Sequence, residues 1–271
     1  MALGVLNNIS AIYAQNNLSN TQASLSKTLQ QLSSGSRINS GADDAAGLSL
    51  ANGLQASATA LSQSASNASE GVDMLQVADG AMSQITNLLN RAVTLATESS
   101  NGTMNTNQIT AANAEYTNIL GEINNIDSNT EYNGIASFGT AAAIYTTDGT
   151  IGQSDNATAL AHVDSTTLGL TAAGFTDQTS AQTEVGLIPT AIGTIASYRR
   201  TVGATINTLT AVGNVMSTES TNTLAAQNDV TATDYGQATS DMSKYQILSQ
   251  TGIAALAQAQ QSQQLITKLL Q

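Results

Sequence analysis

The sequence predicts a mainly α protein: long helices running antiparallel as a coiled-coil-like rod, with paired N- and C-terminal segments and a small β-hairpin excursion. Three observations carry this expectation. Apolar residues recur at alternating steps of four and three over long stretches, the period of a helix seam. The chain holds a single Pro, so little interrupts such helices. Hydrophobic residues make up 41% of the chain but aromatics only 3%, with no Trp and two Phe, so Ala, Leu, Ile and Val build thin seams rather than a thick core.

Taken in order, the lightly charged segment 1–42 leads into "LSSGSRINSGADDAAGLSL", Leu32 to Leu50, a glycine-punctuated connector. Its Asp43 and Asp44 stand just before a long helix, where carboxylates accept free amide hydrogens and complement the helix dipole. Gly35, Gly41 and Gly47 are expected to let the chain change direction there. From Leu54 the seam reads Leu54, Ala58, Leu61, Ala65, Ala68, Val72, Leu75, Asp79, Met82, Thr86, Leu89, Val93, Ala96, with eleven of thirteen positions apolar. "SSNGTMNTN" supplies a turn, and "ITAANAEYTNILGEINNI" returns as a second helix.

"EYNGIASF" is expected to end that helix near Asn133-Gly134, and Asp148-Gly149 to turn a hairpin. Residues 152–184 look least structured, being rich in Ser, Thr, Asp and Gly. Helical spacing resumes at Ile188, Ile192, Ile195, Arg199, Val202, Ile206, Leu209, Gly213 and Met216. The Asp-containing connector "QNDVTATDYG" follows. A last helix is expected from about Tyr235 to Leu270, with Leu248, Gly252, Ala255, Ala259, Ser262, Ile266 and Leu269 on one face.

Charge divides the chain in the same places. Net charge is −12, which opposes nucleic-acid binding. Residues 1–42 hold Lys27 and Arg37 and no acid; residues 235–271 hold Lys244, Lys268 and Asp241; the other eighteen carboxylates lie between Asp43 and Asp234. Charged side chains are rarely buried unless paired, so nearly uncharged ends are ends meant for burial. They are too short to bury themselves, and another copy of the chain is the expected partner.

The residues of chemistry are sparse. The absence of Cys excludes disulfides and thiolate metal sites. His162 is the single histidine, in the polar run "ALAHVDS", and reads as a solvated loop residue. The dinucleotide fingerprint, the P-loop, GxSxG and the EF-hand loop are absent. No enzyme and no cofactor are expected. Nothing approaches a membrane span, and no signal-peptide pattern opens the chain, so membrane insertion and a cleaved leader are not expected.

"LSSGSRINSGADDAAGLSLANGL", "GVDMLQVADGAMSQITNLLNRAVTLATESSNGT", "YNGI" and "DYGQATSDMSKYQILSQTGIAALAQAQQSQQLITKLLQ" resemble bacterial flagellin over roughly residues 1–138 and 188–271. The resemblance implies a structural subunit that polymerises helically into the extracellular flagellar filament for swimming. It divides the chain into an inner filament-core coiled coil of residues 1–42 and 235–271 with connectors, and an outer rod domain of 43–234 with its excursion at about 134–187. With so short an excursion, a minimal form lacking the outer variable domains is expected.

On that plan Val5, Ile9, Ile12, Leu18, Leu25, Leu29, Leu32, Leu248, Ala255, Ala259, Ile266 and Leu269 pack the filament core. Gly35, Arg37, Asn39, Gly41, Asp43 and Asp44 form the connector. Leu54, Leu61, Val72, Leu75, Met82, Leu89, Ile195, Val202, Ile206 and Leu209 form the rod seam. Arg91, Leu95 and Glu115 match the contact positions for flagellin-sensing innate immune receptors, a secondary role. Implied partners are other copies of the chain, an export chaperone, the type III export apparatus, the filament cap and hook-associated proteins. The alternative reading is a hook-filament junction protein, which shares similar ends.

Overall fold

The structure is a computed structural model that describes residues 8–139, 141–147, 158–170 and 174–269; for 141–142, 158–159, 263 and 265–269 it describes the backbone alone. Five helices dominate: α1 Ile9–Ser34, α2 Ala45–Ser99, α3 Thr106–Asn129, α4 Gln178–Thr231 and α5 Tyr235–Leu269. The chain forms two compact units, Met1–Ala56 with Asn222–Gln271, and Ser57–Thr221.

In the first unit α1 and α5 pack antiparallel. The Asn8 side chain donates to the Ala259 carbonyl at one end, Leu18 lies against Gly252 midway, and Tyr235 lies against Gly35 at the other end. The covered positions of α1 are Ala11, Ala14, Leu18, Thr21, Leu25, Thr28 and Leu32; those of α5 include Ala238, Tyr245, Ser249, Gly252, Leu256 and Ala259. Both follow steps of three and four, the coiled-coil period. Asn8 caps α1 by accepting from the Ala11 amide, and Gly35 ends it at φ +71°, a left-handed conformation that suits glycine.

The second unit has a dense core. Along α2 the buried positions include Ala58, Leu61, Ser64, Ala68, Gly71, Leu75, Ala78, Met82, Ile85, Leu89, Ala92, Ala96 and Ser99, with Met74 and Leu95 beside this stripe. One set of seam positions, Ala68, Leu75, Met82, Leu89 and Ala96, is the expected one. The alternating set lies one residue earlier than Ala65, Val72, Asp79, Thr86 and Val93, because α2 packs against both α3 and α4 and its covered face is wider than a two-helix seam. In α4 Ile188, Ile195, Val202 and Leu209 are fully buried. The helices α2 and α4 are antiparallel: the Ser220 hydroxyl donates to the Ala58 carbonyl, and Arg199 grips Asp79.

Two expectations are corrected here. Asn133-Gly134 does not merely end a helix; it turns a hairpin, β1 Glu131–Tyr132 against β2 Ile135–Ala136. Asn133 at φ +52° and Gly134 at φ +75° give the doubly left-handed turn that matches strand twist. The hairpin expected at Asp148-Gly149 falls outside the described residues, although β3 Ala141–Ala142 pairs antiparallel with β4 Thr158–Ala159 on either side of it.

The second correction concerns residues 152–184. Leu160, Val163, Leu168, Leu170 and Phe175 are all core residues, and α4 starts at Gln178, ten residues before Ile188. Pro189 therefore sits inside α4 and is exposed there, where the buried Ala181, Glu184, Ile188 and Ala191 hold the helix across the interruption.

Three side chains of α3 fasten this segment. Asn113 accepts from the Phe175 amide at 2.8 Å, Asn124 from the Ser165 amide at 2.8 Å, and Asp127 from the Val163 amide at 2.7 Å. His162 is not free in solvent. Its Nδ1 lies 2.8 Å from the buried Asp127 carboxylate while the ring stays largely exposed.

Candidate assembly surface

The connector is built from backbone complementarity. Ser36 and Ala232 form an antiparallel bridge; the Arg37 amide donates to the Thr231 carbonyl at 2.7 Å and the Thr233 amide to the Gly35 carbonyl at 3.0 Å. The Arg37 guanidinium donates to the Val230 carbonyl and the Asn39 side chain to the Ser36 carbonyl. The two aspartates divide their labour. Asp44 caps α2 by accepting from the Gly47 amide at 2.8 Å. Asp43 instead folds back onto the amides of Asn39 and Ser40 and pairs with Lys27 of α1 at 2.7 Å. The Lys27 ammonium first, then the Ser40 hydroxyl and the Asn39 amide, hold the Asp43 carboxyl down at about 2.

Of the three glycines expected to turn the chain, only Gly35 has a positive φ. Gly47 lies inside α2 in a crowded place: an added Cβ would meet Ile38 Cδ1 at 2.7 Å and the Asp44 carboxylate, so the Ile38 side chain and the Asp44 cap would have to shift. Gly41 is exposed, with Leu48 Cδ2 3.9 Å from where a Cβ would stand, so nothing in the structure demands glycine there.

The connector thus ties the two terminal helices together and consumes their charge. Lys27 is spent on Asp43 and Arg37 on a carbonyl, and Lys244 lies over the Tyr245 ring. What the helices leave outside is mostly uncharged, with large apolar side chains set among Ser, Asn, Gln and Thr. Of the fourteen large hydrophobic residues exposed among the described residues, ten belong to the terminal unit, among them Ile9, Ile12, Tyr13, Ile247 and Ile253. Among the described residues of the same unit the buried apolar ones are Ile38, Ala51 and Ala238. Each terminal helix therefore buries one face against its partner and leaves large apolar side chains exposed on the other.

The residues expected to pack a filament core split between these faces. Leu18, Leu25, Leu32 and Ala259 lie on the covered face. Ile9, Ile12, Leu29, Leu248 and Ala255 lie exposed. Val5 and the side chains of Ile266 and Leu269 are outside the described residues. Among the rod-seam residues, Leu61, Leu75, Met82, Leu89, Ile195, Val202 and Leu209 are buried, whereas Leu54, Val72 and Ile206 are half-buried.

In the second unit Arg91 and Glu115 are exposed and form a bidentate pair at 2.7 and 3.1 Å, which raises the guanidinium and lowers the carboxyl from their ordinary values. Leu95 does not join them on the surface. It is 2% exposed and sits in the core, so it offers no side chain to a receptor, because α3 covers that face of α2. Between α2 and α4 a cavity of about 270 Å³ is lined by small residues, Ala65, Ala68, Ser69 and Gly213, with Val72 and Leu209.

Among the described residues no three His, Cys, Asp or Glu side chains could hold a metal ion, and no helix is long and apolar enough to cross a membrane. Hydrogen-bonded connectors and long, nearly uncharged paired helices define a protein of helical-rod class.

Residues 5–143 match the family model of the bacterial flagellin N-terminal helical region and residues 185–270 that of the C-terminal helical region. Flagellin of Listeria innocua is 31% identical over 97% of this chain and 98% of its own length. The flagellar filament 33 kDa core protein of Treponema phagedenis is also 31% identical, over 97% and 98%. The crystal structure of Bacillus cereus flagellin is 29% identical, covers 60% of this chain and 94% of its own, and superposes with a TM-score of 0.48. The chain belongs to the bacterial flagellin family and is a structural subunit of the flagellar filament.

Proposed function

We propose that the unspent apolar faces of α1 and α5 are the polymerisation surface, so that the terminal unit completes its core only against other copies. One observation carries this: among its described residues the unit buries three apolar residues and exposes ten large ones. Two helices this thin are marginal in water, so association supplies the missing burial. A filament requires that one surface meet a different surface on the next copy, since a self-complementary patch closes into a dimer. The two faces of α1 and α5 differ in residue content, which suits such a heterologous contact.

The same exposure suits export before folding. A chaperone covering α5 would shield Ile247, Leu248 and Ile253 until the subunit passes the type III export apparatus and folds beneath the filament cap at the growing end, where hook-associated proteins bound the filament. The relatives named above are filament proteins, and nothing in this chain favours the junction reading over theirs.

Electron microscopy of the purified chain under salting-out conditions tests the proposal, comparing full length with a chain lacking residues 1–42 and 235–271. Long filaments from the intact chain alone are expected. Filaments from the truncated chain would overturn the assignment of the surface, and short capped assemblies from the intact chain would favour a junction protein.

A further inference from the structure

The chain contains three Asn-Gly steps, Asn52-Gly53, Asn101-Gly102 and Asn133-Gly134, and the fold treats each differently. Asn-Gly is the dipeptide most open to self-modification, because glycine has no Cβ to shield its amide nitrogen. We propose that Asn101-Gly102, in the turn between α2 and α3, is a site of self-catalysed deamidation, and that the fold protects the other two.

The chemistry needs only water and mild base. The Gly102 amide nitrogen, once deprotonated, attacks Cγ of Asn101. A new N–Cγ bond forms, the Cγ–Nδ2 bond breaks and ammonia leaves with the proton, closing a five-membered succinimide. Water then opens the ring at either carbonyl. Cleavage of the new N–Cγ bond gives Asp; cleavage of the original peptide bond gives isoaspartate, whose backbone runs through the side chain. The sum is Asn plus water to a carboxylate residue plus ammonium, with no oxidant or reductant.

Geometry decides among the three. Asn52-Gly53 lies inside α2, where the Gly53 amide is engaged in the helix ladder and the backbone is fixed. Asn133-Gly134 forms the left-handed turn of the hairpin, so rotating the Asn133 backbone to bring Cγ onto the next nitrogen would break pairing on both strands. Asn101 and Gly102 are both exposed. Among the described residues neither the Asn101 side chain nor the Gly102 amide has a hydrogen-bond partner, and the backbone of Asn101 is held by two long bonds, its amide to the Glu98 carbonyl at 3.1 Å and its carbonyl from the Met104 amide at 3.2 Å, so rotation there disturbs little. The product adds a carboxylate beside Glu98, taking the formal net charge from −12 to −13.

Peptide mapping by mass spectrometry tests this on the full chain held at mildly alkaline pH, native and in denaturant. In the native chain deamidation and isoaspartate are expected at Asn101 severalfold ahead of Asn52 and Asn133; in denaturant the three rates converge. Gly102→Ala, whose new Cβ meets nothing nearer than Gln178 Nε2 at 3.5 Å and whose φ is not left-handed, should slow Asn101 severalfold and leave Asn133 unchanged. A native rate at Asn101 no faster than at Asn52, or a faster one at Asn133, would overturn the proposal.

Discussion

Tyr116 and Glu184 form a buried polar contact in the second unit. The phenol donates to Glu184 Oε2 at 2.7 Å, and the two residues are 0% and 1% exposed. The Tyr116 ring also lies 5.1 Å from that of Phe175, tilted by 48°. Replacing Tyr116 by Phe keeps the ring and its packing and removes only the donor. A hydrogen bond to a charged group contributes about 1.5–3 kcal/mol, and stripping a partner from a buried charge costs about 3–5 kcal/mol. A loss of about 3 kcal/mol is expected, where the two ranges meet.

Urea unfolding of the monomer, followed by circular dichroism, measures it. The double substitution Tyr116→Phe with Glu184→Leu should recover much of the loss, since both partners are then gone. Burial first, then the Glu184 hydrogen bond, pushes the phenol above its ordinary range. The sign follows: the folded chain keeps this proton while the unfolded chain releases it above about pH 10, so stability falls by about 1.4 kcal/mol per pH unit there. The Phe variant should lack that slope. A Tyr116→Phe loss below about 0.5 kcal/mol, or an unchanged alkaline slope, would refute the reasoning.

Two further substitutions probe the connector. Gly47→Ala forces a methyl group against Ile38 and the Asp44 cap, and overpacking of this kind costs about 1–3 kcal/mol; thermal melting of the terminal unit should show it. Asp43, held at about 2, stabilises the connector above the ordinary carboxylate range, and that stability is lost as pH falls from about 4 towards 2. Limited proteolysis with an acid-active protease should therefore cut the connector increasingly over this window in the wild type, whereas Asp43→Asn should be cut readily throughout, and equal rates for both would count against the Lys27 pairing.

The helical framework was legible because seams repeat. Even its blemishes carried information: Asp79 was one of two polar intruders in the α2 seam and Arg199 the charged one in α4, and they proved to be each other's partners, at 2.8 and 3.0 Å. The segment from Leu160 to Phe175 was not legible, because its anchors have no period. Its signal was on α3, where Asn113, Asn124 and Asp127 share a stripe with Leu120. Polar residues extending an apolar stripe look like surface until a loop is laid over them. The β1–β2 hairpin was misread for a related reason: Asn-Gly serves both helix ends and tight turns, and strands of two residues leave no alternation to separate them.

The terminal helices show what a periodic pattern withholds. Ile9, Ile12 and Leu29 on α1 and Leu248 on α5 are as apolar as the residues that face the partner helix, yet they lie outside. Composition says that a face wants burial; it does not say whether the burial is within one chain or between copies. The connector answers part of this. Arg37, Asn39 and Asp43 satisfy their polar groups inside the chain, and Lys27 is neutralised by Asp43, so the exposed faces of α1 and α5 carry almost no charge that association would have to desolvate. A monomer selected for its own stability would have placed charges on those faces, which costs little on a solvated helix. Their near absence supports the proposal that neighbouring copies finish the core of this subunit.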